Sequence, residues 1–385
     1  MKKVLYIIDD VNYISGAQKV TLFQMRQMQM EMEVFMLTLV RPKETIEFLD
    51  SAHILSSELW GKTELYAQSL RNVLKHRKYN PIQKLSRILY SVSIRLGISE
   101  MYFEKVISKN LCNEMERFDD VIVVSEASKM RKIVSKLKRP QKIQWIHTDY
   151  FRWSNFSEWS RAVTKHDAKT YQNFDRLVVL SEYCKQGVQK KISSVTDKVV
   201  VIPNLIDGQR IVELSKEKTQ INIPENCLTL ITVARIDREK RIDLILKVAK
   251  KMQEHQVFRW YIVGDGPQRE ILEKRKEQLG LGQNVIFLGY LDNPYSIMKC
   301  CDVFVLLSEY EGTPVTIDEA MVLGLNIVAP RIGGIPEQVE GYASCRLFDS
   351  YESLEKYFNR RERGIEKFDF KKINEERIRK IKNIL

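Results

Sequence analysis

Val303-Phe-Val-Leu-Leu-Ser-Glu-Tyr-Glu-Gly-Thr-Pro-Val-Thr-Ile-Asp-Glu-Ala-Met-Val-Leu-Gly-Leu-Asn-Ile-Val-Ala329 reads as one complete strand-loop-helix-strand unit. Val303 to Leu307 is a continuous apolar run, as expected of a strand buried on both faces, and Asn326 to Ala329 repeats the pattern. Between them Thr313 can cap a helix, Pro314 suits its first position and Gly324 ends it. This places Glu311 in the loop before the helix and Glu319 on its second turn.

The same alternation runs through the whole chain. Apolar runs at Val4–Ile8, Val34–Thr38, Val121–Val124, Ile143–Ile146, Leu177–Leu180 and Val199–Ile202 form one set, each followed by a helical pattern. A second set comprises Leu228–Val233, Trp260–Val263, Val285–Leu288, Val303–Leu307 and Asn326–Ala329. Repeated βα units predict α/β architecture with parallel, doubly wound sheets. A polar segment from about Asp207 to Glu225, containing Lys216-Glu-Lys218 and Pro224, separates the sets and reads as a linker. The predicted organisation is two Rossmann-like domains, residues 1–205 and 206–367, followed by a helix over 368–385 with Phe370, Ile373, Ile378, Ile381 and Leu385 on one apolar stripe.

Length agrees, since 385 residues sit near the prior for two domains of just under 200. With 44% apolar and 29% charged residues the chain can bury real cores, which excludes a disordered tail or a fibre. The six cysteines, at 112, 184, 227, 300, 301 and 345, form no Cys-x-x-Cys pair, so they read as reduced thiols in a cytosolic protein. Val4 to Ile8 is too short for a secretory leader, and no stretch is long enough to span a bilayer. Net charge is +12, which is compatible with nucleic acid, a membrane surface or an anionic substrate. Its distribution is uneven: residues 61–110 hold ten Lys or Arg against three Glu, and residues 355–385 hold eleven against six acids.

In open α/β sheets ligands bind beyond the carboxyl ends of the strands. After Ile8 the loop leads into a helix at about Ala17, and Gly16 there lets backbone amides approach an anion or simply eases the chain into the helix. After Val233 come Arg235 and Lys240, two cations that could converge on a diphosphate, or form an ordinary solvated basic loop. Val263-Gly-Asp-Gly-Pro267 lacks the third glycine of a dinucleotide fingerprint and reads as a structural turn, with Pro267 starting a helix. The fourth loop carries Glu311 and Glu319, suited to a sugar hydroxyl and a ribose; the plainer alternative is a loop surface charge and an exposed helix residue.

Arg235 with Lys240, the Gly-Asp-Gly-Pro turn, the 311/319 glutamate pair and Gly333-Gly-Ile-Pro-Glu337 occur in the order and spacing of the retaining glycosyltransferases of family 4. The chain resembles that family, which has the two-Rossmann GT-B fold, across about residues 175 to 345. A weaker likeness extends through Ser181-Glu182, Pro203-Asn-Leu-Ile-Asp207, His147 and Gly16, while residues 41 to 110 match poorly. The resemblance implies that Arg235 and Lys240 hold the donor diphosphate, Glu311 the transferred sugar and Glu319 the ribose. It gives Gly312 and Thr313 backbone contacts to sugar or phosphate, Tyr290 and Leu291 the base, Gly16 an approach to the donor, and His147 a contact with the donor sugar. It also implies a last helix that crosses back to the N-terminal domain. Three residues depart from the pattern: Arg241 where a glycine usually follows the lysine, Ser15 in place of one of a glycine pair, and Thr313 in place of an aromatic.

The activity so implied is transfer of a hexose-type sugar, with retention, from a nucleoside-diphosphate sugar to an acceptor hydroxyl, uridine being the base most such enzymes use. Preset cations would stabilise the departing diphosphate. No Asp-x-Asp occurs anywhere, so the expectation is catalysis without a metal and without any other cofactor. A sugar-nucleotide epimerase and a non-catalytic sugar-nucleotide-binding module remain open. A nicotinamide dehydrogenase is disfavoured by the glycine spacing, and nucleic acid by the lack of a recognised binding motif. The expected acceptor is a lipid-linked glycan of a bacterial surface polysaccharide, met at the cytoplasmic membrane face. Arg71, Lys75 and Lys78 at helical spacing, near Trp60, Tyr66, Leu70 and Leu74, would dock peripherally on anionic lipid, or else form a plain solvated face.

Overall fold

The computed structural model describes residues 1–12, 15–43, 46, 49, 53–55, 65–66, 69–96, 109–219, 221–224, 226–352, 354–358 and 368–385. The chain divides into two compact units, Met1–Leu205 together with Ile378–Leu385, and Ile206–Arg377.

The first unit is built on a parallel sheet of β1 (Lys3–Ile8), β2 (Glu33–Thr38), β3 (Ile54–Leu55), β4 (Asp120–Val123), β5 (Gln141–Trp145), β6 (Arg176–Val179) and β7 (Val199–Val201). Their order is β3-β2-β1-β4-β5-β6-β7. The apolar run of β1 is continuous because both its faces are covered: Leu5 and Ile7 join one apolar cluster, Val4, Tyr6 and Ile8 the other. β1 pairs with β2 on one side and β4 on the other, so the strand order reverses direction beside it.

The second unit repeats the plan with β8 (Leu228–Val233), β9 (Phe258–Val263), β10 (Val285–Gly289), β11 (Val303–Val305), β12 (Asn326–Pro330) and β13 (Cys345–Phe348). All pairings are parallel, in the order β10-β9-β8-β11-β12-β13, and the reversal falls between β8 and β11. Val303, Val305 and Leu307 face one cluster while Phe304 and Leu306 face the other. The period of two that defines a strand is thus hidden in a run that is apolar throughout.

Two strands escape a search for apolar runs. β3 is two residues long, and β13 is an edge strand whose exposed Arg346 interrupts the pattern. The segment from Asp207 is not an irregular linker: Gly208–Leu214 is a helix, capped by the Asp207 carboxylate accepting from Arg210 N at 3.3 Å and burying Ile211. The N-cap position falls on Pro314, one residue past Thr313. Pro314 itself is extended (φ −67°, ψ 123°) and the helix starts at Val315, ending as expected before Gly324 at φ +69°. Pro267 likewise precedes its helix, which runs Arg269–Gln278.

The last helix is Phe370–Ile384. Ile206 N donates to Asn374 Oδ1 at 2.9 Å and Asn374 Nδ2 donates to Ile206 O at 2.7 Å, within the second unit. Ile378, Ile381 and Leu385 pack in the first unit's cluster with Val4 and Tyr6. Among the described residues no helix is long and apolar enough to cross a membrane.

Candidate functional site

The predicted donor-binding residues of the second unit lie in the loops that follow its strands or, for Glu319, within the helix Val315–Val322 after β11, and the main cluster stands at the reversal between β8 and β11. From β8 comes a 3-10 turn, Arg238–Lys240, then the helix Ile242–Met252. From β11 comes the loop carrying Glu311. Glu309 N donates to Glu239 O at 2.8 Å, tying the two loops together. Lys240 Nζ lies 2.6 Å from Glu311 Oε1, and Ser308 Oγ donates to the same oxygen at 2.6 Å.

Glu311 and Glu319 are both buried, which removes the surface-charge alternative for each. Glu319 Oε1 accepts from the Tyr295 hydroxyl at 2.7 Å. Burial, reinforced by that carboxylate, holds the Tyr295 phenol protonated. Arg235 is differently placed: its side chain is 57% exposed and ion-paired with Asp237 and Glu239. Each expected phosphate ligand therefore already has a carboxylate partner. Lys240 gives one of its three donors to Glu311, leaving capacity for an anion, and the exposed fork of Arg235 keeps donors as well.

Close backbone approach shapes this edge. Gly333, after β12, has φ +56°, and a Cβ there would lie 1.9 Å from the carbonyl oxygen of Glu311, while Gly334 N donates to Gly312 O at 2.8 Å. Gly264 has φ +134° with Ala234 O 2.0 Å from where its Cβ would be. The Gly-Asp-Gly-Pro turn thus packs under the segment bearing Arg235, which is a structural role. Arg241, standing where the family has glycine, adopts φ 52°, the left-handed conformation glycine takes without strain. Its side chain bonds Asp243 at 3.3 Å and lies over the Tyr351 ring at 5.6 Å. Thr313 is buried, and Tyr290 and Leu291 follow β10, Tyr290 being exposed.

In the first unit, Gly16 opens the helix Gly16–Met28. Ser15 N donates to Gln18 Oε1 at 2.7 Å, and Gln18 Nε2 to Asp10 O at 2.6 Å, fastening the loop after β1. His147 follows β5. Its backbone N donates to Glu126 Oε2 at 3.2 Å, and both ring nitrogens are buried without a hydrogen-bond partner. Burial pushes the imidazole pKa down, against a smaller upward pull from Glu126, so the ring is neutral at pH 7. Two further buried groups of the first unit escaped sequence reading. Asp9 accepts from Ser128 Oγ at 2.5 Å and Lys129 N at 3.1 Å, and burial raises its carboxyl pKa. Burial lowers the Lys129 ammonium to about 8. The Asp9-Asp10 pair at the end of β1 was the available signal; nothing in the sequence marked Lys129.

Residues 215–367 match the family model described as glycosyl transferases group 1. Among curated relatives, the O-antigen biosynthesis glycosyltransferase WclY of Escherichia coli is 29% identical over 178 residues, covering 46% of this chain and 48% of that protein. The putative glycosyltransferase EpsF of Bacillus subtilis is 34% identical over 137 residues, 34% of this chain and 35% of that one. The chain thus spans less than half the length of either relative in these matches. Among solved structures, Anabaena HepE in complex with UDP-glucose aligns over 100% of both chains at a TM-score of 0.67 and 17% identity. Sucrose-phosphate synthase from Thermosynechococcus elongatus aligns over 100% of this chain and 96% of its own, at 0.67 and 16%. The two parallel sheets are therefore those of the GT-B fold, and the second lies within the residues that match the glycosyl transferases group 1 model.

Proposed function

We propose that the protein is a retaining glycosyltransferase that moves a hexose-type sugar from a nucleoside-diphosphate donor, UDP-linked, to a hydroxyl of a lipid-linked glycan in bacterial surface-polysaccharide synthesis. The observation that carries this reading is the bonded set of Lys240, Glu311 and Ser308 at the reversal between β8 and β11, with Arg235 on the same loop as Lys240. Cleavage of the donor's glycosidic bond puts charge on the departing diphosphate, and Arg235 and Lys240 would meet it without reorganising. Glu311, accepting from Lys240 and Ser308, keeps its second oxygen for a sugar hydroxyl. Glu319, held by Tyr295, would take the ribose, with Tyr290 and Leu291 at the base and the Gly312 and Thr313 amides at sugar or phosphate. The proton leaving the acceptor hydroxyl would pass to a diphosphate oxygen on the same face. Gly16 and His147 at the carboxyl edge of the first sheet belong to the proposal as donor contacts, and the first unit as the acceptor-binding one. The neutral imidazole suits a hydrogen bond to a sugar hydroxyl.

The UDP-glucose complex of HepE supports the choice of donor, and WclY supports surface polysaccharide as the destination. The site of action in this reading is the inner face of the cell membrane, with the protein bound peripherally from the cytoplasm. Catalysis is expected to need no divalent ion: turnover should persist in chelator with no metal added, and a loss of activity there would overturn that part of the reading. Incubation with a panel of nucleotide sugars tests the whole. A transferase releases nucleoside diphosphate, an epimerase isomerises the sugar, and a binding module does neither.

A further inference from the structure

The helix Pro81–Arg95 of the first unit is inside out. Its inward residues include Arg87, Tyr90 and Ser93, all buried; the Arg87 guanidinium donates to Ser91 Oγ at 2.6 Å and Ser93 Oγ donates to Tyr90 O at 2.7 Å. Apart from Arg95, its outward residues are apolar. Ile82, Leu85, Ile88, Leu89, Val92 and Leu96, just past its end, are between 38% and 78% exposed. The three- and four-residue steps from Ile82 through Leu85, Leu89 and Val92 to Leu96 place five of them on one stripe, and at 100° per residue Lys84 and Arg95 lie along one edge of it, beyond Ile88. A helix on the surface of a globular unit normally presents the opposite arrangement. Nearby, the helix Leu70–Lys75 exposes Leu74, and the helix Glu158–Thr164, packed against Pro81–Arg95, exposes Trp159.

Charge selects the occupant. Residues 69–96 contain seven Lys or Arg and no Asp or Glu. A second copy of this chain laid against the stripe would bring two such acid-free basic segments together, with Glu158 on the neighbouring helix as one acid beside them, whereas anionic headgroups complement them. Exposed apolar residues bordered by cations are the composition of helices that lie in the membrane interface, apolar side chains at the acyl boundary and basic ones among the phosphates. We propose that the Ile82–Leu96 stripe beds into the surface of an anionic lipid bilayer, so that the first unit is held by inserted side chains as well as by charge. This deepens the peripheral-membrane part of the proposed function and rests on it. Of the residues first expected at such a surface, Trp60 lies outside the described residues and Tyr66 is buried, so the apolar contribution comes from this helix instead.

Flotation of the full chain with phosphatidylcholine vesicles, with and without phosphatidylglycerol, tests the proposal. Wild type should float with the anionic vesicles and keep part of that binding in high salt. Leu85→Ser with Leu89→Ser should lower partitioning about 10²-fold or more while leaving the thermal melt unchanged, because both side chains are already exposed. An Arg71→Glu, Lys75→Glu, Lys78→Glu variant should weaken binding mainly at low salt. No flotation of the wild type, or equal flotation of the double-serine variant, would overturn insertion. So would a wild-type dimer in sedimentation that the double-serine variant breaks and that vesicles do not. Diphosphate release to a soluble acceptor should be unchanged in the double-serine variant; a wild type that floats but releases none refutes the proposed function and leaves this inference standing.

Discussion

Replacing Lys240 with methionine keeps most of the side-chain stem and removes one charge. In the folded protein that charge lies 2.6 Å from Glu311 Oε1, the Lys240 and Glu311 side chains being 22% and 10% exposed. Removing one partner of a buried pair costs about 3–5 kcal/mol, because the remaining charge is left uncompensated. Lys240 is partly solvated and Glu311 keeps its bond from Ser308, so the expected loss is smaller, about 1–3 kcal/mol. Glu311→Gln in the same background removes the orphaned charge and should recover most of that stability. Activity should behave differently. The single variant should lose about 10²-fold in turnover, as when other preset transition-state donors are removed, and the double variant should not regain it. Thermal melts and nucleoside-diphosphate release, run on the wild type, both singles and the double, give the two cycles. A Lys240→Met protein with wild-type turnover would refute the diphosphate role, and additive stability effects would refute the pairing.

Glu319→Gln should raise the Michaelis constant for donor about 10-fold with little change in turnover, since a ribose contact is made equally in ground and transition states. Tyr295→Phe, which strips the hydroxyl from Glu319 Oε1, should move the same constant in the same direction by a smaller factor; a pure loss of turnover in either variant would contradict the assignment. Asp318 gives a pH test. Burial pushes its carboxyl up to about 6, against opposing pulls from Arg377 and Gln338. The native state then binds the proton more tightly than the unfolded chain, so this group penalises folding above that pKa, and stability from it grows as pH falls from about 6 towards 4. The penalty at pH 7 is about 3 kcal/mol. Asp318→Asn should raise the melting temperature at pH 7 and shrink that advantage towards zero by pH 4, a difference absent if the carboxylate is solvated.

The sheets were legible because parallel strands covered on both faces are continuous apolar runs, as at Val4–Ile8 and Leu228–Val233. β13 was not, because an edge strand half open to solvent carries Arg346 and no such run. Gly208–Leu214 was missed for a related reason: seven residues with one buried Ile211 leave too little periodicity to separate a helix from a polar linker. At the site, residue types and order singled out the loops after β8 and β11, but the sequence could not show that Arg235 and Lys240 each meet a carboxylate, nor that Tyr295 reaches Glu319. The Lys240–Glu311 and Tyr295–Glu319 pairings join positions 71 and 24 residues apart through the fold, whereas Arg235 meets Asp237 and Glu239 two and four residues on, where only the local backbone geometry decides the contact. Lys129 was invisible because burial, not its neighbours in sequence, alters its chemistry.

In the proposed function, the set at the reversal of the second sheet positions the diphosphate of a nucleotide sugar for departure. The most direct measurement of this is phosphorus NMR of wild type and Arg235→Ala, each incubated with a panel of UDP-sugars and followed for release of nucleoside diphosphate. Wild type should release diphosphate from at least one donor, and Arg235→Ala should lose about 10²-fold or more of that rate. Equal rates in the two proteins, or a wild type that leaves every donor intact, would contradict it.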